Sequence, residues 1–186
     1  MDETKAQIAR GLKQLVNQGK SFEKVSIRDI TSLAGVRRST FYYYFQDKYD
    51  TLAWIFHDEV IDPTYPLLSA GMFDEALRLL LHNIQSEGEL FHSLIDLEGQ
   101  NNLRDIIDKE LYVWVNTFVQ EYIQHCGGQR APSVDLAFTI DFYAGSCTTA
   151  VLNWIRSNYR QPIGQFISFY RYLCNHTLEE VLRGEE

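Results

Sequence analysis

Proline is scarce in this chain, with four in 186 residues and none before Pro63. Nothing of that kind therefore interrupts a helix through the first 62 residues. No run of 18 apolar residues occurs, so no membrane-spanning helix is expected. The N-terminus lacks a basic stretch followed by an apolar segment, so no secretory signal is expected either. Cysteine is limited to Cys126, Cys147 and Cys174, an odd number spread widely. That usage fits reduced thiols in a cytoplasmic protein better than a disulfide framework. P-loop, GxGxxG and GxSxG motifs are absent. The five histidines (His57, His82, His92, His125, His176) show no metal-site spacing, and His57-Asp58-Glu59 reads as a solvated face. No catalytic residue, metal or cofactor is expected, and the chain is not read as an enzyme. Cys147 and His176 pair only by arithmetic.

Negative charge dominates the whole chain, at a net −8, which at first argues against nucleic acid. Its distribution reverses that reading. Residues 1–50 hold nine Lys/Arg against six Asp/Glu, and residues 51–186 hold eight against nineteen. A mildly basic head thus sits on an acidic body, an asymmetry expected when one end meets nucleic acid. With 45% hydrophobic residues and 13% aromatic ones, the chain can bury a sizeable core.

Apolar residues recur at helical spacing almost throughout, and no convincing alternating strand appears. Ile8, Leu12, Leu15 and Val16 stripe a first helix that Gly19 stops. Ser26 reads as the N-cap of a second helix, with Asp29 at its third position and Ile30, Leu33 and Ala34 facing inward. Gly35 ends it and permits a tight turn. A third helix is expected from about Arg37 to Phe45. Asp47 caps a fourth, which runs to about Ile61 and stops at Asp62-Pro63. No Ser/Gly linker follows, so the fourth helix is expected to couple head and body rigidly. The predicted domains are a head, 1–48, and a body, 49–186. Further helices are expected over Phe73–Ser86, Leu90–Leu97, Asn101–His125, Val134–Ser157 and from the Pro162 turn to Arg183. Gly127-Gly128 and Pro132 mark a loop.

The third helix is the most informative stretch. On a helical wheel Phe41 and Phe45 share a core face, while Ser39 and Tyr43 point the opposite way, flanked by Thr40 and Tyr42. Three consecutive tyrosines sweep about 200° of a helix, so they cannot all be buried. Arg37 and Arg38 stand at a helix N-terminus, where a cation costs roughly 0.3–1 kcal/mol. A phosphate or a guanine edge would offset that cost. Helix, Gly turn and exposed second helix make a helix-turn-helix. Geometry alone leaves an ordinary αα-corner with solvated charges as the alternative.

Ser26-Ile27-Arg28-Asp29-Ile30, Ala34-Gly35-Val36, Thr40-Phe41-Tyr42, Tyr44-Phe45 and Lys48 up to Leu52 resemble the N-terminal signature of TetR/AcrR transcriptional regulators. The resemblance covers about residues 5–55. It implies an all-α chain with an N-terminal three-helix DNA-binding domain and a C-terminal helical bundle for ligand binding and dimerisation. It also implies DNA contacts from Ser26 and Arg28, with Arg37, Arg38, Ser39, Thr40 and Tyr43 against the major groove. Tyr42, Tyr44 and Lys48 would hold phosphates. Arg37 and Tyr44 depart from the family pattern, and Arg37 is expected to leave the third helix without a side-chain cap.

Asp141 to Gly145, Ala150 to Leu152, Trp154-Ile155 and Pro162 resemble the penultimate helix of a subgroup that includes regulators of dihydroxyacetone utilisation. The resemblance implies a homodimer built by the last two helices. Ala144, Gly145, Thr148, Val151, Leu152, Phe166, Phe169, Tyr170 and Leu173 are the expected interface, on small-residue and apolar stripes. A small-molecule effector would sit among Phe91, His92, Ile95, Trp114, Phe118, Tyr122 and Tyr143, although for each residue taken singly a place in the core is the better reading. The expected function is a repressor that binds a palindromic double-stranded operator and is released by the effector. The alternative is a co-regulator or activator whose body binds a protein partner. A helical enzyme or adaptor with an accidental helix-turn-helix lacks any catalytic constellation.

Overall fold

The computed structural model describes residues 3–96, 102–125 and 135–183, and every regular element among them is helical. The expected helix ends at Leu97, Asn101 and Val134, the Gly127-Gly128-Pro132 loop and the Cys126 thiol lie outside the described residues.

Helix α1 (Glu3–Asn17) buries Ile8, Leu12 and Val16, and Gly19 leaves it with φ +84°. A 3-10 turn at Phe22–Lys24, not expected from the sequence, drives Phe22 into the core. Helix α2 (Ile27–Ala34) starts at a reciprocal capping box between Ser26 and Asp29. Gly35 closes it in the left-handed conformation, at φ +68°. Helix α1 presses so closely on α2 that a Cβ at Gly11 would stand 3.0 Å from the Ile30 carbonyl oxygen. Leu33, expected to face inward, is exposed, because the core-facing stripe of so short a helix passes through Ile30 and Thr31.

Helix α3 (Arg38–Tyr44) has Arg37 at its N-cap with no side-chain cap. Asp47 caps α4 (Lys48–Ile55) by accepting from the amides of Tyr49 and Asp50, both at 2.8 Å. The connector stays helical to Ile61 but widens into a π-turn over Phe56–Ile61. The wider turn returns Ile61, five residues on, to the face of Phe56, so that Phe56, Val60 and Ile61 are all fully buried. A 3-10 turn (Asp62–Thr64) and α5 (Tyr65–Ser69) follow. Buried Thr64 donates to the Ile61 carbonyl at 2.7 Å and accepts from the Trp114 indole at 2.8 Å.

Helices α6 (Phe73–Ser86), α7 (Gly88–Leu94), α8 (Leu103–His125) and α9 (Leu136–Arg156) form the body, with α8 and α9 packed side by side. The expected last helix is two, α10 (Ile163–Asn175) and α11 (Leu178–Arg183). The break falls where Thr177 and Glu180 form a new capping box, with Glu180 accepting from the Thr177 amide at 2.7 Å. Trp154 fixes the α9–α10 turn by donating to the Gln161 carbonyl at 2.8 Å and taking the Tyr159 ring edge-on at 5.0 Å. The fold is all-α, an N-terminal helix-turn-helix domain followed by a helical C-terminal domain.

Candidate nucleic-acid interface

Burial of Phe41 and Phe45, at 0% and 3% exposure, fixes the rotation of α3 and turns Tyr43 outward at 81% exposure. Arg37, Arg38, Ser39 and Tyr42 are exposed beside it, while Thr40 and Tyr44 are half-buried at the edge of the helix. Arg38 donates from Nη2 to the Tyr42 hydroxyl at 3.3 Å, one turn along, and its guanidinium lies 5.8 Å from that ring. The Tyr43 and Tyr44 rings meet edge-on at 4.9 Å. Three phenols and a guanidinium are thus held by contacts within α3 itself.

Arg28 is exposed on the first turn of α2. Ser26 is exposed too, but its hydroxyl is spent on the capping box: it donates to Asp29 Oδ2 at 2.6 Å and accepts from the Asp29 amide at 3.2 Å. Asp29 also meets Lys20 at 2.7 Å, and hydrogen bonds from Lys20 and Ser26 hold its carboxyl far below the usual carboxylate range. The pairing matches the Asp29 carboxylate with a cation on the chain just ahead of α2.

Lys48 opens α4 as expected, and its ammonium turns back toward the chain ahead of α2. Its ammonium donates to the carbonyls of Phe22 at 2.7 Å, Glu23 at 2.9 Å and Val25 at 3.1 Å, all within the head. Burial lowers its pKa, against the opposing pull of Glu23 and Asp47. The expected phosphate donor has no proton to spare in this arrangement.

The residues expected around an effector do not share a chamber. Phe91 is fully buried against Phe56 at 5.6 Å, and Trp114 is held by Thr64. Phe118 and Tyr122 stack on each other and tilt on to Phe73, at 4.8 and 5.3 Å. Ile95 is half-buried, and His92 and Tyr143 are exposed on α7 and α9. None of the seven lines either of two concavities. One is a cleft of about 330 Å³ between the start of α4 and α8, and the other a groove of about 910 Å³ between α9 and α10.

The expected dimer surface needs correction on α9. Ala144, Thr148, Val151 and Leu152 are buried within the chain itself, because they belong to the stripe that packs on the body. The outward stripe is Phe138, Phe142, Gly145 and Thr149, with Phe138 70% and Phe142 58% exposed. Spacings of four, three and four residues along α9 are the signal for this stripe, of which only Gly145 is among the expected interface residues. On α10, Phe169 and Leu173 are exposed, Phe166 is buried and Tyr170 half-buried, and all four line the groove. The Tyr170 hydroxyl lies 2.8 Å from Ser146 Oγ, and burial raises its pKa well above the ordinary phenol value.

No helix among the described residues is long and apolar enough to cross a membrane. Residues 16–53 match the profile of the bacterial regulatory proteins of the tetR family, and residues 73–180 that of a transcriptional regulator C-terminal region. The HTH-type dhaKLM operon transcriptional activator DhaS of Lactococcus lactis subsp. lactis (strain IL1403) is 31% identical over 94 residues. That match takes in 50% of this chain and 49% of the relative, so it spans about half the length of each. The structure of the dihydroxyacetone kinase operon activator DhaS superposes with a TM-score of 0.66 at 20% identity, over 91% of this chain and 94% of that one. FadR from Bacillus subtilis in complex with stearoyl-CoA superposes with a TM-score of 0.60 at 18% identity, over 89% and 95%. The chain belongs to the TetR family of bacterial transcriptional regulators and is not an enzyme.

Proposed function

We propose that this regulator reads a palindromic operator as a cytoplasmic homodimer, with residues 1–48 as the reading head and 49–186 as the body. The carrying observation is the surface of α3, where Tyr43, Arg38 and Ser39 stand clear on the side opposite Phe41 and Phe45. Arg38 and Tyr43 reach base edges in the major groove, while Arg28, Arg37 and Tyr42 hold phosphates. The outward faces of α9 and α10, with Phe138, Phe142, Phe169 and Leu173, pair with a second copy, and a two-fold dimer matches a two-fold operator.

Two modes of control fit this head. Repression relieved by a small molecule needs a chamber in the body, and the structural neighbour FadR from Bacillus subtilis is a regulator in complex with stearoyl-CoA. Activation through a protein bound to the body needs none. The packing of Phe91, Trp114, Phe118 and Tyr122 against neighbouring side chains favours activation, and so does the activator name of the Lactococcus relative. A gel shift with DNA flanking its own gene tests the head, and specific binding that weakens steeply with salt is the expected result. A reporter gene behind that DNA tests the sign: transcription rises with the regulator under activation and falls under repression.

A further inference from the structure

We propose that Lys48 is a positioning residue of the reading head, a clamp that fastens the chain entering the helix-turn-helix to the chain leaving it. It makes no phosphate contact of its own. An ammonium has three protons, and those of Lys48 meet the Phe22, Glu23 and Val25 carbonyls at 2.7, 2.9 and 3.1 Å. The same Nζ lies 4.8 Å from the Phe22 ring centre and 5.8 Å from that of Tyr49. The three carbonyls belong to the 3-10 turn and its C-cap Val25, just ahead of Ser26, the N-cap of α2. Lys48 itself opens α4, directly after α3 and the Asp47 cap. One side chain therefore closes the bracket around residues 26–45.

The electrostatics agree with this placement. At the first position of α4 a cation meets the positive end of the helix dipole, whereas the carbonyls ending a 3-10 turn present the negative end. Reaching a phosphate would give up three hydrogen bonds and take the ammonium donor from the part-buried Val25 carbonyl, while the Phe22 carbonyl would keep only the Val25 amide. The clamp sets the spacing between Arg28 on α2 and Arg38 and Tyr43 on α3, so it serves every DNA sequence alike.

The proposal rests on the DNA-binding reading, and Lys48→Met in the full chain tests the two separately. Without DNA, amide exchange over residues 22–30 is expected to speed up about tenfold or more relative to the parent. With the DNA flanking its own gene as probe, affinity falls while the slope of log K against log salt stays that of the parent. A lost phosphate contact would instead flatten the slope by about 0.9 and leave exchange unchanged, and either result overturns the clamp. If Lys48→Met does not fold, the parent carrying nitrogen-15 lysine decides: the clamp keeps the Lys48 ammonium resonance in place when DNA is added, and movement overturns it. If the parent binds no DNA, the proposed function fails, yet the exchange measurement still decides the clamp.

Discussion

The Lys13 ammonium on α1 lies 2.8 Å from the Glu87 carboxylate at the α6–α7 corner, and this pair pins the head to the body. The same ammonium reaches Glu59 on the π-turn of the connector at 2.6 Å. All three side chains are largely shielded from solvent. Lys13→Met keeps the aliphatic stem but leaves two carboxylates facing each other. Denaturant melts should show a loss of about 1.5–3 kcal/mol, the range for hydrogen bonds to charged groups. A melt unchanged from the parent would show that the pin contributes nothing.

The same pair sets a pH dependence. Burial works against the charge on Lys13, but its hydrogen bonds to Glu59 and Glu87 outweigh that and raise its pKa above 10.5. A folded-state value above the unfolded one means that the pin is fully stabilising below about 10.5 and is lost as pH rises through the raised value. Melting temperatures of the parent and Lys13→Met should therefore converge as the pH is taken into that alkaline window, and should stay apart at neutral pH.

The capping box predicts an acid limit of the opposite sign. Asp29 is held well below 3.8 by Lys20 and Ser26, so its contribution is present above the ordinary carboxylate value and disappears as pH falls below it. Ser26→Ala removes the cap and should cost roughly 0.5–2 kcal/mol at neutral pH. In acid its melt should approach that of the parent, as Asp29 protonates in both.

Gly35→Ala isolates the turn. Nothing stands within 4 Å of a Cβ placed there, so the substitution tests only the left-handed backbone at φ +68°. The expected loss is roughly 1–2 kcal/mol. Binding in the cold, where the head remains folded, should be retained.

Phe142→Asp and Phe169→Asp place charges on outward faces and should leave the secondary structure intact while turning a sedimenting dimer into monomers. Val151→Ala, on the inward face, should lower stability without changing the oligomeric state. A parent that sediments as a monomer would remove the dimer from the account.

Much of the head was legible in its residues. Periodicity placed Phe41 and Phe45 inside and Tyr43 outside, and the side-chain chemistry of Ser26, Asp29, Gly35 and Asp47 marked three helix ends. Lys48 was not legible, because an ammonium suits a carbonyl nest or a phosphate equally well and only the path of Phe22–Val25 decides. In the body, α9 is apolar on two sides, so composition could not tell Val151 and Leu152, which face inward, from Phe138 and Phe142, which face out. The break before α11 was visible in Thr177-Leu178-Glu179-Glu180, a capping-box pattern passed over inside a continuous apolar stripe. The π-turn at Phe56–Ile61 has no local sequence signal, since it answers to the packing of Phe56, Val60 and Ile61 together.

The claim that α3 reads DNA is tested most directly by titrating the DNA flanking the protein's own gene, alongside an unrelated duplex, with the parent, Arg38→Ala and Tyr43→Ala. The parent should prefer its own DNA, and each variant should lose roughly 1–3 kcal/mol of that preference while melting as the parent does. Variants that discriminate as well as the parent would contradict the account.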